Sequence, residues 1–202
     1  MIYLYFNDMK IKINPTTYLV WLVLIFTDKA DFLLCSLVCA ILHECSHIAA
    51  YLSYGTYVTE VEFLPFGLSA RVGKTENLSC SGECFCALCG PMINLFMSAG
   101  FVFLSDSLLV GCEYFVVCNL ALFSINMLPV IPLDGGRVLY FILLKYKGVD
   151  VAARVSRIIS IFIVIVLLLI GALLLFCSGY NAFVLFIGCY LLVYVLTADS
   201  CF

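Results

Sequence analysis

The stretch Ala40–Ala50, AILHECSHIAA, places a glutamate and two histidines inside a run of residues that otherwise reads as membrane-spanning. These are the only two histidines in the chain. On a helix His43 and His47 lie one turn apart and project from one face. Glu44, beside His43, reaches the same space. This is the H-E-x-x-H spacing, in which two imidazoles ligate zinc and the glutamate handles the proton of an attacking water. A carboxylate near the middle of a span costs about 2.5–3.5 kcal/mol on insertion scales, so it is rarely kept without a use. The plainer reading is a pair of core histidines hydrogen-bonded to neighbouring helices. The pairing with Glu44 at the right offset favours the metal.

Composition supplies the setting. The chain has 202 residues, 65% hydrophobic and 11% charged, with a mean hydropathy of +1.17. Soluble domains are nearer half apolar and a quarter charged, so the bilayer is the expected solvent. The net charge of −3 and the lack of a basic run with interleaved aromatics exclude nucleic acid as a partner.

Six apolar segments follow one another along the chain, at about Pro15–Phe26, Phe32–Tyr54, Cys84–Leu104, Leu108–Leu128, Val155–Cys177 and Tyr180–Thr197. Ile11 and Ile13 could extend the short first one. The expected fold is therefore an all-α membrane protein, a polytopic bundle of about six transmembrane helices. A small β-hairpin is expected after the second span, where Val58–Val72 alternates apolar and polar residues around Pro65–Phe66–Gly67. The N-terminus lacks the pattern of a cleaved signal peptide. With six spans and an inside N-terminus, only Lys29 of the ten Lys and Arg residues falls outside. That positive-inside bias puts both termini in the cytoplasm.

Twelve cysteines lie mostly in apolar segments, where thiols behave as small hydrophobes. The cluster Cys80, Cys84, Cys86 and Cys89 lacks the paired CxxC spacing of zinc ribbons, and reduced thiols are the simpler reading.

A catalytic zinc takes three protein ligands and leaves one position for water. No third histidine exists, and Cys45 points away from the His43–His47 face. Asp134 is the candidate. It lies in NMLPVIPLDGGR, where Pro129 and Pro132 break the fourth span and Gly135 and Gly136 let the backbone turn. Irregular backbone at membrane depth is tolerated where protein buries it or water reaches it. The alternative is an aspartate capping the helix that starts near Gly135.

HECSH in the second span, GPMIN (Gly90, Pro91, Asn94) in the third and NMLPVIPLDGG after the fourth together resemble the site-2 protease family of intramembrane zinc metalloproteases, in its compact, sporulation-type form. The resemblance covers about residues 32–145 and implies zinc as cofactor, His43, His47 and Asp134 as its ligands, and Glu44 as the catalytic glutamate. It also implies that Asn94 and Asn126 line the site as substrate or oxyanion contacts. Ser46 stands where the family usually has glycine. The expected organisation is one intramembrane metalloprotease domain over residues 1–202, with no PDZ-like insertion and no C-terminal nucleotide-sensing domain. The implied activity is hydrolysis of a peptide bond in or near a transmembrane segment of a membrane-tethered precursor, such as that of a sporulation sigma factor. The implied location is a bacterial inner or forespore-surrounding membrane. Expected partners are that substrate, the lipid bilayer and regulatory membrane proteins the sequence does not name. Local unwinding of a substrate helix is served by strand addition to the Val58–Val72 hairpin, although a plain surface hairpin fits the same residues. Competing readings are a membrane metal transporter or metal-binding protein, for which the fifth and sixth segments offer few polar residues, and a non-catalytic homologue, which would not need Glu44.

Overall fold

The computed structural model describes residues 2–6, 9–13, 30–64, 67–73, 78–108, 113–178 and 182–197. The expected first span, Pro15–Phe26, lies outside them. Contacts divide the chain into two units, Met1–Ile125 and Asn126–Phe202.

The first unit contains a four-stranded sheet in the order β1-β2-β3-β4. β1 (Ile2–Phe6) and β2 (Met9–Ile13) pair antiparallel, with Ile2 opposite Ile13 and Phe6 opposite Met9. β2 runs parallel to β3 (Val58–Leu64), placing Ile11 opposite Val61. β3 pairs antiparallel with β4 (Gly67–Val72), with Val61 opposite Ala70 and a register shift between Val58 and Glu60. An all-α fold with one hairpin therefore needs correcting, because two strands precede the first described helix. MKIKI alternates Lys with Ile, a period-two pattern that suits a strand with two unlike faces. Reading Ile11 and Ile13 as the end of a span overlooked that period.

Two long helices complete the described part of this unit, with a shorter third. α1 spans Ala30–Ser53 and α2 spans Cys80–Leu108. α3 covers Glu113–Asn126 and ends at the unit boundary. Ala50 and Tyr51 of α1 pack on Cys86 of α2, with Leu78 and Cys89 around them. The Tyr51 hydroxyl donates to Glu83 Oε2 at 2.8 Å, tying the same ends of the two helices together.

The second unit holds α4 (Asp134–Lys147), α5 (Val149–Ser178) and α6 (Phe183–Thr197). α4 and α5 are separated by Gly148, whose φ of 82° is a left-handed conformation that glycine adopts without penalty. Val164, Leu191 and Val195 form a buried core with Val130. α5 and α6 approach closely at one glycine on each, Gly171 against Leu185 and Gly188 against Leu168. A Cβ on Gly171 would sit 2.8 Å from Leu185 Cα, and one on Gly188 would sit 2.9 Å from Leu168 Cδ2. Small residues at a helix interface permit this approach in lipid, where packing rather than water drives association.

Among the described residues three helical stretches are long and apolar enough to cross a membrane: Leu34–Ser53, Cys80–Phe103 and Val149–Cys177. Glu113–Asn126 and Val184–Thr197 are shorter apolar helices.

Residues 127–133, between α3 and α4, are irregular, and their polar groups are met locally. Val130 N–H donates to Leu128 O and Leu133 N–H to Val130 O. The buried Ile131 N–H donates to Ser160 Oγ at 3.0 Å, and that hydroxyl donates to Ser156 O. Replacing Ser160 with alanine strands the Ile131 amide, at a cost of about 1–3 kcal/mol. Ser156→Ala removes a buried hydroxyl that has no partner among the described residues and should cost clearly less. Denaturant titration of both variants in detergent checks the difference, and equal losses would contradict this account of the break.

Candidate metal centre

α1 brings the opening motif to a buried face. His43 is 5% exposed and His47 6%, while Glu44 beside them is half-buried and Cys45 faces outward. The Ser46 hydroxyl donates to His43 O at 2.7 Å. That side chain is thus satisfied on its own helix and does not intrude on the imidazoles.

Each ring is held by its Nδ1. His47 Nδ1 lies 2.7 Å from the carbonyl of Cys86. A carbonyl can only accept, so Nδ1 carries a proton, and in the neutral ring Nε2 is left with its lone pair. His43 Nδ1 faces Asn94 Oδ1. The Asn94 amide is oriented by its other end, where Nδ2 donates to Asn119 Oδ1 at 2.8 Å. His43 therefore also carries its proton on Nδ1. The two unprotonated Nε2 atoms stand 3.1 Å apart. Two lone pairs facing each other in a buried site repel unless a cation lies against both.

The spacing fits zinc. Two nitrogens on a tetrahedral zinc at about 2.0–2.1 Å are about 3.3 Å from each other. Metal-bound histidines almost always donate their other N–H to a carbonyl or carboxylate, as both rings do here.

α2 comes this close because residue 90 is glycine. A Cβ on Gly90 would overlap the His47 ring, 2.6 Å from its Cε1, and would lie 2.7 Å from His43 Cε1. Gly90 and Asn94 are four residues apart on one helix face. The GPMIN spacing therefore puts the gap for the rings and the amide that holds one of them side by side.

Asp134 is the first residue of α4 and is buried, with Arg137 Nη1 3.6 Å from its Oδ1. The N-cap position is Leu133, which makes no side-chain cap bond. Asp134 is therefore not the capping residue that its sequence context also allowed. Its place in the first turn still suits a carboxylate, since the helix dipole favours negative charge there. Gly135 and Gly136 are required by the preceding turn. A Cβ on Gly135 would lie 2.6 Å from Met127 C, and one on Gly136 would lie 2.6 Å from Ile131 N. His43 and His47 in the first unit and Asp134 in the second are each buried. Among the described residues Cys80, Cys84, Cys86 and Cys89 form no group that could hold a metal ion.

Asn126 ends α3 and is half-buried. Asn94, expected to contact substrate, has both ends of its amide engaged by His43 and Asn119, so its geometry is that of a ligand holder. Asn119 and Cys39, both fully buried and touching each other at 3.1 Å, were not singled out from the sequence. An asparagine in the middle of the apolar run EYFVVCNLALF was the available signal.

Comparison with known proteins agrees with this geometry. Residues 110–170 match the model of Peptidase family M50. The chain is 27% identical over 151 residues to stage IV sporulation protein FB of Bacillus subtilis, covering 73% of this chain and 52% of that protein. It is 26% identical over 142 residues to the zinc metalloprotease MJ0392 of Methanocaldococcus jannaschii, covering 67% of this chain and 41% of that protein. The chain is thus similar to zinc metalloproteases over part of its length. It spans about half or less of the length of these curated relatives. The fold is that of the site-2 protease from Methanocaldococcus jannaschii, with a TM-score of 0.72 over 96% of this chain and 93% of that one, at 22% identity.

Gly90→Ala tests the packing of α2 against the imidazoles. The added methyl should displace the His47 ring and lower zinc content at least tenfold while leaving helical circular dichroism unchanged. Full zinc occupancy in this variant would contradict the arrangement.

Proposed function

We propose that this chain is an intramembrane zinc endopeptidase that hydrolyses a peptide bond in or near a transmembrane segment of a membrane-tethered precursor. The observation that carries this reading is the pair of buried Nε2 atoms, 3.1 Å apart, on rings whose Nδ1 atoms are each turned to an oxygen acceptor.

His43 and His47 would hold a zinc ion, with Asp134 as its third ligand. A bound zinc supplies Lewis acidity, acidifying water to a pKa of about 7 and polarising a peptide carbonyl. Glu44 takes the proton of the attacking water and passes it to the departing amine as the peptide bond breaks. Asn126 is the amide left to meet substrate, because Asn94 is committed to His43. Both termini face the cytoplasm, as the distribution of Lys and Arg favours, so that water reaches Asp134 from that side. The motif resemblance implies a membrane-tethered sporulation sigma factor precursor as the substrate, and one relative is named a sporulation protein. β4 is an edge of the sheet, and an unwound substrate segment pairs with it as an added strand.

Purified protein reconstituted with candidate membrane precursors tests the reading. Cleavage should stop with chelator and return with zinc. Glu44→Gln should keep its zinc and lose about 10²–10⁴-fold in rate, the range for a general base. Undiminished cleavage by Glu44→Gln would remove that residue from its role, and zinc flux into vesicles without cleavage would replace the protease by a transporter.

A further inference from the structure

We propose that Asn119 is the positioning residue that decides which nitrogen of His43 faces the metal. The inference rests on the zinc reading and extends it to a residue on a third helix that touches neither ion nor substrate.

An amide side chain is ambiguous. Asn94 could present either its oxygen or its NH2 to His43 Nδ1, and the two choices impose opposite tautomers on the ring. With the oxygen presented, Nδ1 carries the proton and Nε2 has a lone pair for the metal. With the NH2 presented, Nδ1 must accept and the proton moves to Nε2, which blocks coordination. Asn119 removes the choice. Its Nδ2 lies 2.9 Å from the carbonyl of Phe115, one turn back on α3, and 3.1 Å from Cys39 Sγ. The Phe115 carbonyl can only accept, so the Asn119 NH2 points there and its Oδ1 points at Asn94. Asn94 then donates to that oxygen and turns its own oxygen to His43. The direction of the whole chain is set by a backbone group three side chains away from the metal. Asn94 and Asn119 are both 0% exposed, which leaves water little access to substitute for either partner. His47 needs no such device, because its Nδ1 meets the Cys86 carbonyl directly.

Protein labelled with ¹⁵N-histidine, metal-free in detergent micelles at about pH 8, above the ordinary histidine range, contains only two rings. Wild type should show both as Nδ1–H tautomers. In Asn119→Leu and Asn119→Ala, the His43 signals should shift toward Nε2–H while those of His47 stay, serving as the control for folding. Zinc affinity, read by competition with a chromophoric chelator, should fall about 10–100-fold, the usual cost of losing an outer-shell partner. Adding Asn94→Asp to Asn119→Leu should restore both readouts, because a carboxylate offers His43 an acceptor whichever way it is turned.

A merely structural Asn119 would not be rescued in this way. Wild-type His43 in the Nε2–H form, an unchanged tautomer in both Asn119 variants, or failure of Asn94→Asp to rescue would each overturn the proposal. If wild type takes up no zinc, the protease reading fails, while the tautomers still decide the role of Asn119.

Discussion

The site depends on two imidazoles that are each fixed by the nitrogen turned away from the metal. His47 is pinned by a backbone carbonyl of α2, and His43 by an amide whose own orientation is settled on α3. With both protons committed to Nδ1, the two Nε2 atoms converge as a bidentate donor. Neither helix alone could achieve this. The H-E-x-x-H spacing brings two rings to one face of α1, but an isolated ring remains free to turn and to exchange tautomers. The polar partners that remove that freedom are costly in an apolar environment unless each is satisfied. Here Asn94 and Asn119 satisfy one another and end on a carbonyl.

Close backbone approach is the second requirement, and glycine meets it wherever it arises. Gly90 lets α2 pass against the imidazoles. Gly135 and Gly136 let the first turn of α4 lie over the carbonyls of the broken segment, so that the chain can turn sharply and begin a helix with a buried carboxylate. Ser160 from α5 meets the amide exposed by that break. The irregular stretch is therefore a built element whose hydrogen bonds are found within the protein, as lipid demands.

Much of this was legible in the residues. HECSH, GPMIN and PLDGG name their positions because each needs a residue type that sterics or chemistry dictates. The long apolar helices follow from hydropathy alone. Other features were hidden for physical reasons. Asn119 stands alone in its segment, and no local spacing announces a partner 25 positions back on another helix. Asn94 was legible as a candidate site residue, but its bonds to His43 and Asn119 were not, since an amide's partners on other helices leave no mark in the sequence. The strand MKIKI was obscured because isoleucines near a hydrophobic run suit a span as well as a sheet. Only the intervening lysines separate the two, and they do so through a period of two. Asp134 likewise stood for two roles, and the observed cap at Leu133 excludes the capping one.

Zinc K-edge X-ray absorption on the purified protein addresses the central claim most directly, because it reports the atoms that touch the ion. Two imidazole nitrogens with oxygen donors at about 2.0–2.2 Å, and no sulfur, is the expected first shell. A sulfur shell at about 2.3 Å would move the ion to the cysteines and contradict the convergence of His43 and His47 on which the rest is built.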